Sequence, residues 1–465
     1  MTLAAPATRS HAARFSVTNP FNGAVLAELP EASADEVAAT ISRARAAAAA
    51  FRGSTPHERR ELLNRLAALI ERDAETLART ISNEMGKTIT EARGETRRAQ
   101  NTLRLSGDAA TFLDGEVLHC GIVAGGKDRQ AVVTYVPTGV VAAITPFNYP
   151  LNLLCHKLGP AIAAGNAVVA KPSPKAPLAA DHLVRLTREA GFPRDLVQIV
   201  HGGAEPALAL ARGRIDLLSF TGGPGAGLAL KRASGLVRCL MELGGNDPLF
   251  VLPDADLAAA AATAISHRFE IAGQSCAAVK KLYVHEAVQD DFTQMLLARV
   301  ADHRYGDPAD DATQMGTVID MGASADLAAR LAEAQAGGAR LLAGGTAQGT
   351  LFAPTVIERV PAAARLWATE TFGPVLALRA FTDLDAAVAE VNATEFGLQA
   401  GIFTNDHAAI RRLTRGLQVG GVMVNEGPDF RAEHVPFGGI KGSGLGREGV
   451  RIALREMSET RVVID

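Results

Sequence analysis

A regular alternation of strands and helices in the middle of the chain constrains the fold more than any other feature. Unbroken apolar runs predict buried parallel strands at 140–144, 167–171, 197–200 and 217–220. Helical patterns lie between them, at 152–164, 177–190 and 204–211. This rhythm predicts a doubly wound parallel sheet, whose ligands bind beyond the carboxyl ends of the strands.

The rest of the chain predicts further units around this sheet. Helices are expected at 34–51, from Thr55 to about Ile70, from about Asp73, and from about Lys87 to Phe112. A second α/β series follows, with helices at 255–268, 289–300, 323–336 and 384–391 and strands at 249–252, 340–342 and 375–379. A hairpin is expected from 117–120 and 130–136. The tail 459–465 is expected to form a strand that needs a partner edge, which another subunit could supply.

These patterns divide the chain into three parts. Residues 1–116 and 137–243 form the first α/β domain, 244–450 the second, and 117–136 with 451–465 a β arm. The crossing between the two α/β domains is expected at Glu242-Leu243-Gly244.

Composition excludes several classes of protein. A net charge of −3 gives no basic surface for nucleic acid. Pro and charged residues interrupt the most apolar region, 139–170, so it cannot span a membrane, and residues 1–13 lack the apolar core of a signal peptide. The four cysteines show neither disulfide nor zinc spacing, which favours reduced thiols, a cytoplasmic protein and no metal site.

Polar residues follow the predicted strands where a ligand would bind. Thr145-Pro146-Phe147-Asn148 follows one strand and Lys171-Pro172-Ser173-Pro174-Lys175 another. The turn at 221–227 is Gly-rich and opens a helix, which suits a phosphate, although most such turns only reverse the chain. The usual dinucleotide fingerprint after the first strand is absent.

Cys276 is the candidate nucleophile. It follows a Gly-Gln-Ser turn and precedes an apolar run at 277–284 that resembles a strand. A thiol at such a junction can face a cleft beside free backbone N–H groups, as a covalent catalyst requires. A buried structural cysteine is the alternative.

Seven motifs together identify a family. From about Asn19 to its end the chain resembles the aldehyde dehydrogenase superfamily, in the order and spacing of the motifs at 145–148, 171–173, 220–223, 242–245, 273–276, 370–374 and 436–439. The resemblance implies the aldehyde dehydrogenase fold, in which two doubly wound parallel-sheet domains carry a β oligomerisation arm. It also implies a homodimer or a dimer of dimers.

The resemblance implies catalytic roles for three residues. Cys276 would attack the aldehyde carbon, and Asn148 would help bind the resulting oxyanion. Glu242 would act as the general base for hydrolysis of the thioester. Without the family, Asn148 would be read as a loop cap and Glu242 as a surface acid.

The resemblance also implies an NAD(P) site. Lys171 would bind the adenosine ribose, Glu370 the nicotinamide ribose, and Gly222 and Gly223 would admit the pyrophosphate, while Phe372 packs near the nicotinamide. The remaining expected contacts are Ile144, Thr145, Pro146, Phe147, Ser173, Lys175 and Thr221.

Two departures bear on the choice of cofactor. Gly223 stands where the family commonly has Ser, so one hydroxyl contact to the pyrophosphate is missing. Pro174 and Lys175 stand where a Glu often excludes a 2′-phosphate. With no anion guarding the pocket, and with Ser173 and Lys175 able to meet a phosphate, we expect NADP to be tolerated and even preferred.

Within the superfamily the chain is most similar to the phosphonoacetaldehyde and lactaldehyde dehydrogenase group. There, an Arg at the position of Arg104 and a His at that of His156 help bind the phosphonate, and Arg431 offers another cation. Ser275 departs from the pattern, because the group's phosphonate and phosphate enzymes usually have Arg before the nucleophile. This departure leaves either a different or shorter phosphonate aldehyde, such as phosphonoformaldehyde, or a less charged hydroxyaldehyde. Arg104 and His156 still favour a phosphonate aldehyde, phosphonoacetaldehyde or phosphonoformaldehyde.

Alternative functions stay open at this stage. A lactaldehyde, glyceraldehyde-3-phosphate or other semialdehyde dehydrogenase is one alternative. A CoA-acylating enzyme is disfavoured by Glu242, which such enzymes generally lack, and a non-catalytic binding or structural relative by the intact Cys276, Asn148 and Lys171.

Overall fold

The computed structural model describes residues 13–465. In chain order its strands are β1 Arg14–Thr18, β2 Val25–Pro30, β3 Glu116–His119, β4 Gln130–Pro137, β5 Val140–Ile144, β6 Ala167–Lys171, β7 Val197–Ile199, β8 Leu217–Thr221, β9 Arg238–Glu242, β10 Pro248–Val251, β11 Lys281–His285, β12 Arg340–Ala343, β13 Ala347–Gln348, β14 Leu351–Phe352, β15 Thr355–Glu358, β16 Val375–Phe381, β17 Gln399–Phe403, β18 Gly421–Val424, β19 Gly444–Leu445 and β20 Ser458–Ile464.

The helices complete the α/β pattern. In chain order they are α1 Ala34–Phe51, α2 Pro56–Arg72, α3 Ala74–Met85, α4 Ile89–Ala109, α5 Asn152–Ala163, α6 Leu178–Glu189, α7 Ala204–Arg212, α8 Pro224–Ser234, α9 Leu257–Phe269, α10 Gln289–Ala301, α11 Met321–Ala336, α12 Arg365–Ala368, α13 Leu384–Asn392, α14 His407–Gly416 and α15 Val450–Glu456. The long helices that precede the first sheet, α1 to α4, agree with the sequence prediction.

Sequence signals at their first turns explain where three of these helices begin. The side chains of Ser33, Thr55 and Thr88 each accept a hydrogen bond from the backbone N–H of a Glu three residues later. The carboxylate of that Glu accepts a hydrogen bond from the backbone N–H of the Ser or Thr. Such reciprocal caps satisfy backbone donors that the helix itself leaves free. The third Glu, Glu91, has a second bond that bears on the site described below.

The first sheet has the strand order β19-β9-β8-β5-β6-β7. Its neighbours from β9 to β7 run parallel, and β19 joins the edge antiparallel to β9. Strands β5, β6 and β8 are buried along their whole length, as their unbroken apolar sequences require. The predicted doubly wound sheet is therefore confirmed for this part of the chain.

The second sheet has the strand order β12-β15-β16-β11-β10-β17-β18 and is parallel except at the β12 edge. Its hydrophobic core draws on residues between Leu249 and Leu417, whereas the first core runs from Val37 to Met241 and also includes Val450, Leu454 and Met457. The chain passes from the first core to the second between Met241 and Leu249.

The boundary expected near residue 450 lies earlier. The strand β19 pairs with β9 of the first sheet, and Val450 and Leu454 pack in the first core. Residues 444–450, which the sequence analysis gave to the second domain, therefore join the first, because the chain crosses back to cover the edge of β9.

The tail forms a three-stranded sheet with the predicted hairpin, in the order β20-β4-β3. Its partner edge is β4 of the same chain, with Ser458 opposite Pro137 and Ile464 opposite Ala131. The tail strand therefore pairs within its own chain rather than with another subunit. No helix among residues 13–465 is long and apolar enough to cross a membrane.

Candidate active site

A cavity of about 320 Å³ lies between the two α/β units. Loops at the carboxyl ends of the first sheet's strands supply one wall, and the segment before β11 supplies another. The sequence-predicted residues that line it are Pro146, Phe147, Asn148, Thr221, Gly222, Gly223, Glu242, Ser275, Cys276, Glu370, Phe372 and Arg431. Elements far apart in sequence thus bring a thiol, a carboxyl group, an amide and a guanidinium to one space.

The segment before Cys276 has an unusual backbone. Ile271, Ala272 and Gly273 follow one another with φ of 45°, 52° and 69°. A β-branched residue rarely adopts positive φ, so contacts with the surrounding protein must hold this loop. A Cβ on Gly273 would lie 2.3 Å from the carbonyl oxygen of Gly373, so only Gly fits there.

Gln274 is the main anchor of this loop. Its side-chain Nε2 donates to the carbonyls of Ile271 at 2.9 Å and Thr317 at 3.2 Å. Its Oε1 accepts from the N–H of Ile319 at 2.8 Å. Glu91, at the first turn of α4, accepts from the N–H of Ile271 at 2.7 Å. The buried amide therefore fixes the backbone that presents Cys276.

The surroundings of the Cys276 thiol disfavour its ionised form. Burial and then the nearby carboxylate of Asp429 raise the pKa of Cys276 well above its ordinary value, and the ammonium of Lys280 offsets only part of this. Lys280 Nζ donates to the carbonyl of Ser275 at 3.0 Å, which keeps the charge close behind the nucleophile. A base is needed to generate the thiolate.

Glu242, at the end of β9, has the properties of that base. Burial and then the charge of Glu448 raise the pKa of Glu242 well above 4.5. Its Oε2 is buried and makes no hydrogen bond with the described residues. Gly438 leaves room for the carboxyl group, since a Cβ there would lie 2.5 Å from Glu242 Oε1. The raised pKa makes the ionised carboxylate a stronger proton acceptor than an ordinary glutamate.

Asn148 is held beside the nucleophile loop. Its Nδ2 donates to the carbonyl of Gln274 at 2.8 Å, and its Oδ1 accepts from the N–H of Tyr149 at 3.1 Å. These bonds fix the orientation of the amide and leave its second N–H without a partner among residues 13–465. That N–H is available to an oxyanion in the cavity.

The residues expected at the cofactor fit a dinucleotide. Gly222 and Gly223 precede the first turn of α8, whose N-cap Gly223 provides no side-chain cap, and a Cβ on Gly223 would meet no atom within 4 Å. Free N–H groups at such a helix start suit a pyrophosphate. The ring of Phe372 lies edge-on to Phe147, with centroids 5.9 Å apart, and both line the cavity.

The other expected cofactor residues lie at the strand ends. Glu370 lines the cavity and accepts from the N–H of Gly245 at 3.2 Å. Ile144 pairs with Lys171 across β5 and β6, and the buried hydroxyl of Thr145 makes no hydrogen bond with the described chain. Lys171 Nζ donates to the carbonyl of Gly202 at 2.7 Å, and burial lowers the pKa of Lys171 to about 8.

The region expected to meet a 2′-phosphate is more acidic than the sequence suggested. Lys175 forms an ion pair with Asp320 at 2.9 Å, and the hydroxyl of Ser173 accepts from the N–H of Lys175. Glu31 accepts from Gly203 N–H at 2.8 Å and lies close enough to Lys171 to counter the fall of its pKa. Glu31, from the loop before α1, therefore places an anion near Lys171 that the sequence analysis did not expect.

Two arginines face the cavity near the thiol. Arg98 Nε donates to Glu433 Oε1 at 2.7 Å, and Arg431 donates to Glu448 Oε2 at 2.9 Å. The buried Nε of Arg431 makes no hydrogen bond with the described residues, and its guanidinium lies over the ring of Phe437, 4.3 Å from the centroid. Unused guanidinium donors therefore line the cavity.

Arg104 does not reach the cavity. It is half-exposed and pairs with Glu71 on the neighbouring helix. The buried positions of α4 include Glu95, Ala99 and Thr102, and the partly buried Arg98 lies three and four residues from Glu95 and Thr102, on their side of the helix. The structure therefore does not support a substrate contact at Arg104, and Arg98 is the arginine of α4 that lines the cavity.

His156 also lies outside the cavity lining. It is buried in α5 and its Nε2 donates to Glu433 Oε2 at 2.5 Å, while burial and Arg431 lower the pKa of His156. A neutral imidazole in this position orients Glu433, which in turn bonds Arg98. His156 therefore contacts the anion site only through Glu433.

Sequence reasoning also missed other groups of the cavity wall. These are Arg98, Tyr149, Asn152, Leu153, Leu243, Gly244, Asp429, Phe437 and Glu448. Most adjoin a recognised motif, so their position beside one was the available signal. Asp429 lies in a loop with no motif.

Comparisons with known proteins agree with this geometry. A sequence model described as the Aldehyde dehydrogenase family matches residues 7–463. Aspartate-semialdehyde dehydrogenase 1 of Pseudomonas canavaninivorans is 40% identical over 96% of this chain and 95% of that protein. Sulfoacetaldehyde dehydrogenase of Neptuniibacter caesariensis is 38% identical, over 97% and 99%. The NADP complex of an NADP-dependent glyceraldehyde-3-phosphate dehydrogenase from Bacillus halodurans C-125 superposes with a TM-score of 0.95, at 35% identity over 97% and 96%.

Proposed function

Because this chain belongs to the aldehyde dehydrogenase family, an NAD(P)-dependent enzyme family, we propose that it oxidises a short aldehyde that bears an acid group to the carboxylic acid. The observation that carries the proposal is one cavity lined by Cys276, Glu242 and Asn148 together with the guanidinium groups of Arg98 and Arg431. Aspartate semialdehyde and sulfoacetaldehyde, the substrates named for two relatives, both bear an acid group.

The first step is addition of Cys276 to the aldehyde. Glu242, whose raised pKa lets it accept a proton, receives the thiol proton directly or through water. The thiolate sulfur bonds to the carbonyl carbon, and the oxygen becomes an alkoxide. The free N–H of Asn148 and the backbone N–H of Cys276 stabilise that charge.

Hydrolysis completes the reaction. When bound, the nicotinamide supplies the hydride acceptor that converts the adduct into a thioester. Glu242 first releases the thiol proton to solvent. The ionised carboxylate then takes a proton from water as the water oxygen attacks the thioester carbon. The C–S bond breaks, the acid leaves, and Glu242 returns the proton to the Cys276 sulfur. The presence of Glu242 in the cavity supports hydrolysis over transfer to CoA.

The acid group of the substrate would meet Arg98 and Arg431. Both guanidinium groups line the cavity and have donors beyond those that Glu433 and Glu448 use. Charge-assisted bonds to an anion are about twice as strong as neutral ones. The substrate would therefore bind with its acid at these two residues and its aldehyde at Cys276.

A phosphonate aldehyde is one member of this class, and two features favour a less charged acid. Ser275 provides no cation next to the nucleophile, and Asp429 adds a carboxylate to the wall. A dianion would meet more repulsion there than a carboxylate or a sulfonate. We therefore place a monoanionic acid ahead of phosphonoacetaldehyde and phosphonoformaldehyde.

A substrate panel with two matched variants tests the proposal. Succinate semialdehyde, sulfoacetaldehyde, phosphonoacetaldehyde and propanal would be assayed with both cofactors. Arg98→Met should raise KM for the acids about 10- to 100-fold and leave propanal nearly unchanged, because only the acids need the guanidinium. Arg104→Met, on the same helix but outside the cavity, is the control. Equal effects of Arg98→Met on all four aldehydes would refute the anion contact.

We also propose a homodimer or dimer of dimers that works in the cytoplasm. The arm sheet presents exposed apolar side chains that a second copy could cover. They are Val117, Leu118, Ile122, Val462, Val463 and Ile464. Free thiols at Cys120, Cys155, Cys239 and Cys276 support a reducing compartment.

A further inference from the structure

Asp429 has no role in the reaction derived above. It lies in the loop after β18 and lines the cavity with Cys276, Arg98 and Arg431. Its Oδ2 is fully buried and makes no hydrogen bond with any residue in the described part of the chain. A carboxylate oxygen withdrawn from water without a donor is unfavourable, so this atom is suited to a donor from a ligand.

The nearby charges indicate which kind of donor. Arg98, Arg431 and Lys157 carry three positive charges around Glu433 and Glu448. Burial raises the pKa of both acids, but the hydrogen bond from His156 holds the pKa of Glu433 at about 2, and Lys157 and Arg431 hold the pKa of Glu448 lower still. These acids use only some of the guanidinium donors of Arg98 and Arg431, so unused donors remain at both residues.

The cavity wall offers two kinds of unused group, guanidinium donors at Arg98 and Arg431 and an acceptor at Asp429. A substrate with only an acid group would satisfy the donors and leave Asp429 facing another anion. A substrate that is itself a zwitterion would satisfy both sides.

From this we infer that the substrate is a short amino acid that ends in an aldehyde, with its carboxylate at Arg98 and Arg431 and its ammonium on Asp429. The inference rests on the proposed oxidation of acid-bearing aldehydes and adds the second charge. An ammonium group suits Asp429 better than a hydroxyl group, because a hydrogen bond between two charged groups is stronger than one with a neutral donor. Asp429 would then be a residue that determines specificity.

Two substrates that differ only in the amino group provide the test. Aspartate semialdehyde and succinate semialdehyde would be compared by kcat and KM in the wild type and in Asp429→Asn, which keeps the shape and removes the charge. We expect Asp429→Asn to raise KM for aspartate semialdehyde about 10- to 100-fold and to leave KM for succinate semialdehyde equal or lower. Any change in thiol reactivity would alter kcat for both substrates alike and cancel in their ratio.

The outcomes separate this inference from the function on which it rests. If the wild type oxidises succinate semialdehyde as well as aspartate semialdehyde, or if Asp429→Asn affects both equally, the ammonium site is refuted while the proposed function stands. If the wild type prefers propanal to both semialdehydes, the proposed function itself fails. Selective loss of aspartate semialdehyde in the variant supports the inference.

Discussion

Replacement of Gln274 by Met tests the claim that one buried amide holds the nucleophile loop. The substitution keeps the length of the side chain and removes three hydrogen bonds, to the carbonyls of Ile271 and Thr317 and from the N–H of Ile319. At about 1 kcal/mol each, they stabilise the loop by about 3 kcal/mol. The positive φ of Ile271 and Ala272 opposes them with about 1–3 kcal/mol per residue.

Since these two quantities are similar, the loop should relax without unfolding the whole protein. A loss of about 3 kcal/mol corresponds to about a 100-fold change in an equilibrium, so kcat should fall about 10- to 100-fold as the presenting conformation loses population. The rate at which iodoacetamide alkylates Cys276 should change as well. The free energy of unfolding, from denaturant titration, should fall by less than the full 3 kcal/mol.

Gln100→Met is the matched control for this experiment. Gln100 is buried in α4 and its side chain makes no hydrogen bond with the described residues. The control should retain kcat and the alkylation rate. If Gln274→Met also retained both within twofold, the loop would not depend on the amide, and the reasoning from backbone strain would be refuted.

Four other predictions follow from the charges of the site. Glu242→Gln should lower turnover about 10²- to 10⁴-fold without a fast burst of reduced cofactor, because both formation of the thiolate and hydrolysis of the thioester lose their base; a burst of one equivalent per Cys276 would show that Glu242 serves only the hydrolysis. In the wild type, activity should be lost as pH falls through the raised pKa of Glu242, since only the ionised carboxylate accepts a proton. Glu448→Gln should move this acid limb of the kcat/KM profile to lower pH, because a like charge is removed and Arg431 is freed; an unmoved limb would contradict the coupling. Lys175→Ala should raise KM for NADP a few-fold and leave KM for NAD unchanged. The exposed ion pair between Lys175 and Asp320 is weak, so Lys175 can leave Asp320 and bind a phosphate instead. Initial rates with both cofactors measure this.

The sequence predicted the parts of the site that depend on local pattern. Residues 146–148, the turn at 221–223 and Cys276 follow or precede strands whose apolar character was plain, and the structure brings them to one cavity. Arg104 was chosen without a test of which face of α4 it occupies, and the correct face belongs to Arg98. Local sequence pattern therefore located the loops of the site, but it did not show which face of α4 lines the cavity.

Long-range contacts explain the remaining differences. Glu31 approaches Lys171 from a loop about 140 residues earlier in the chain, and β19 crosses back to β9 from the other end. Asp429 belongs to a loop whose position is fixed by neighbouring strands rather than by its own sequence. Such contacts arise from tertiary packing, which no short window of sequence contains.

The double hydrogen bonding of Glu91 links two properties of the enzyme. One carboxyl oxygen closes the first turn of α4 and the other accepts from Ile271, while Arg98 stands about two turns further along the same helix. A shift of α4 would therefore move both the Glu91 carboxylate that supports the Cys276 loop and the guanidinium of Arg98. Mutations that move α4 to make room for a longer aldehyde should change the affinity for substrate and lower turnover at the same time. Mutations in the loop of Asp429 leave that helix in place. New substrate specificities should therefore arise more readily through that loop.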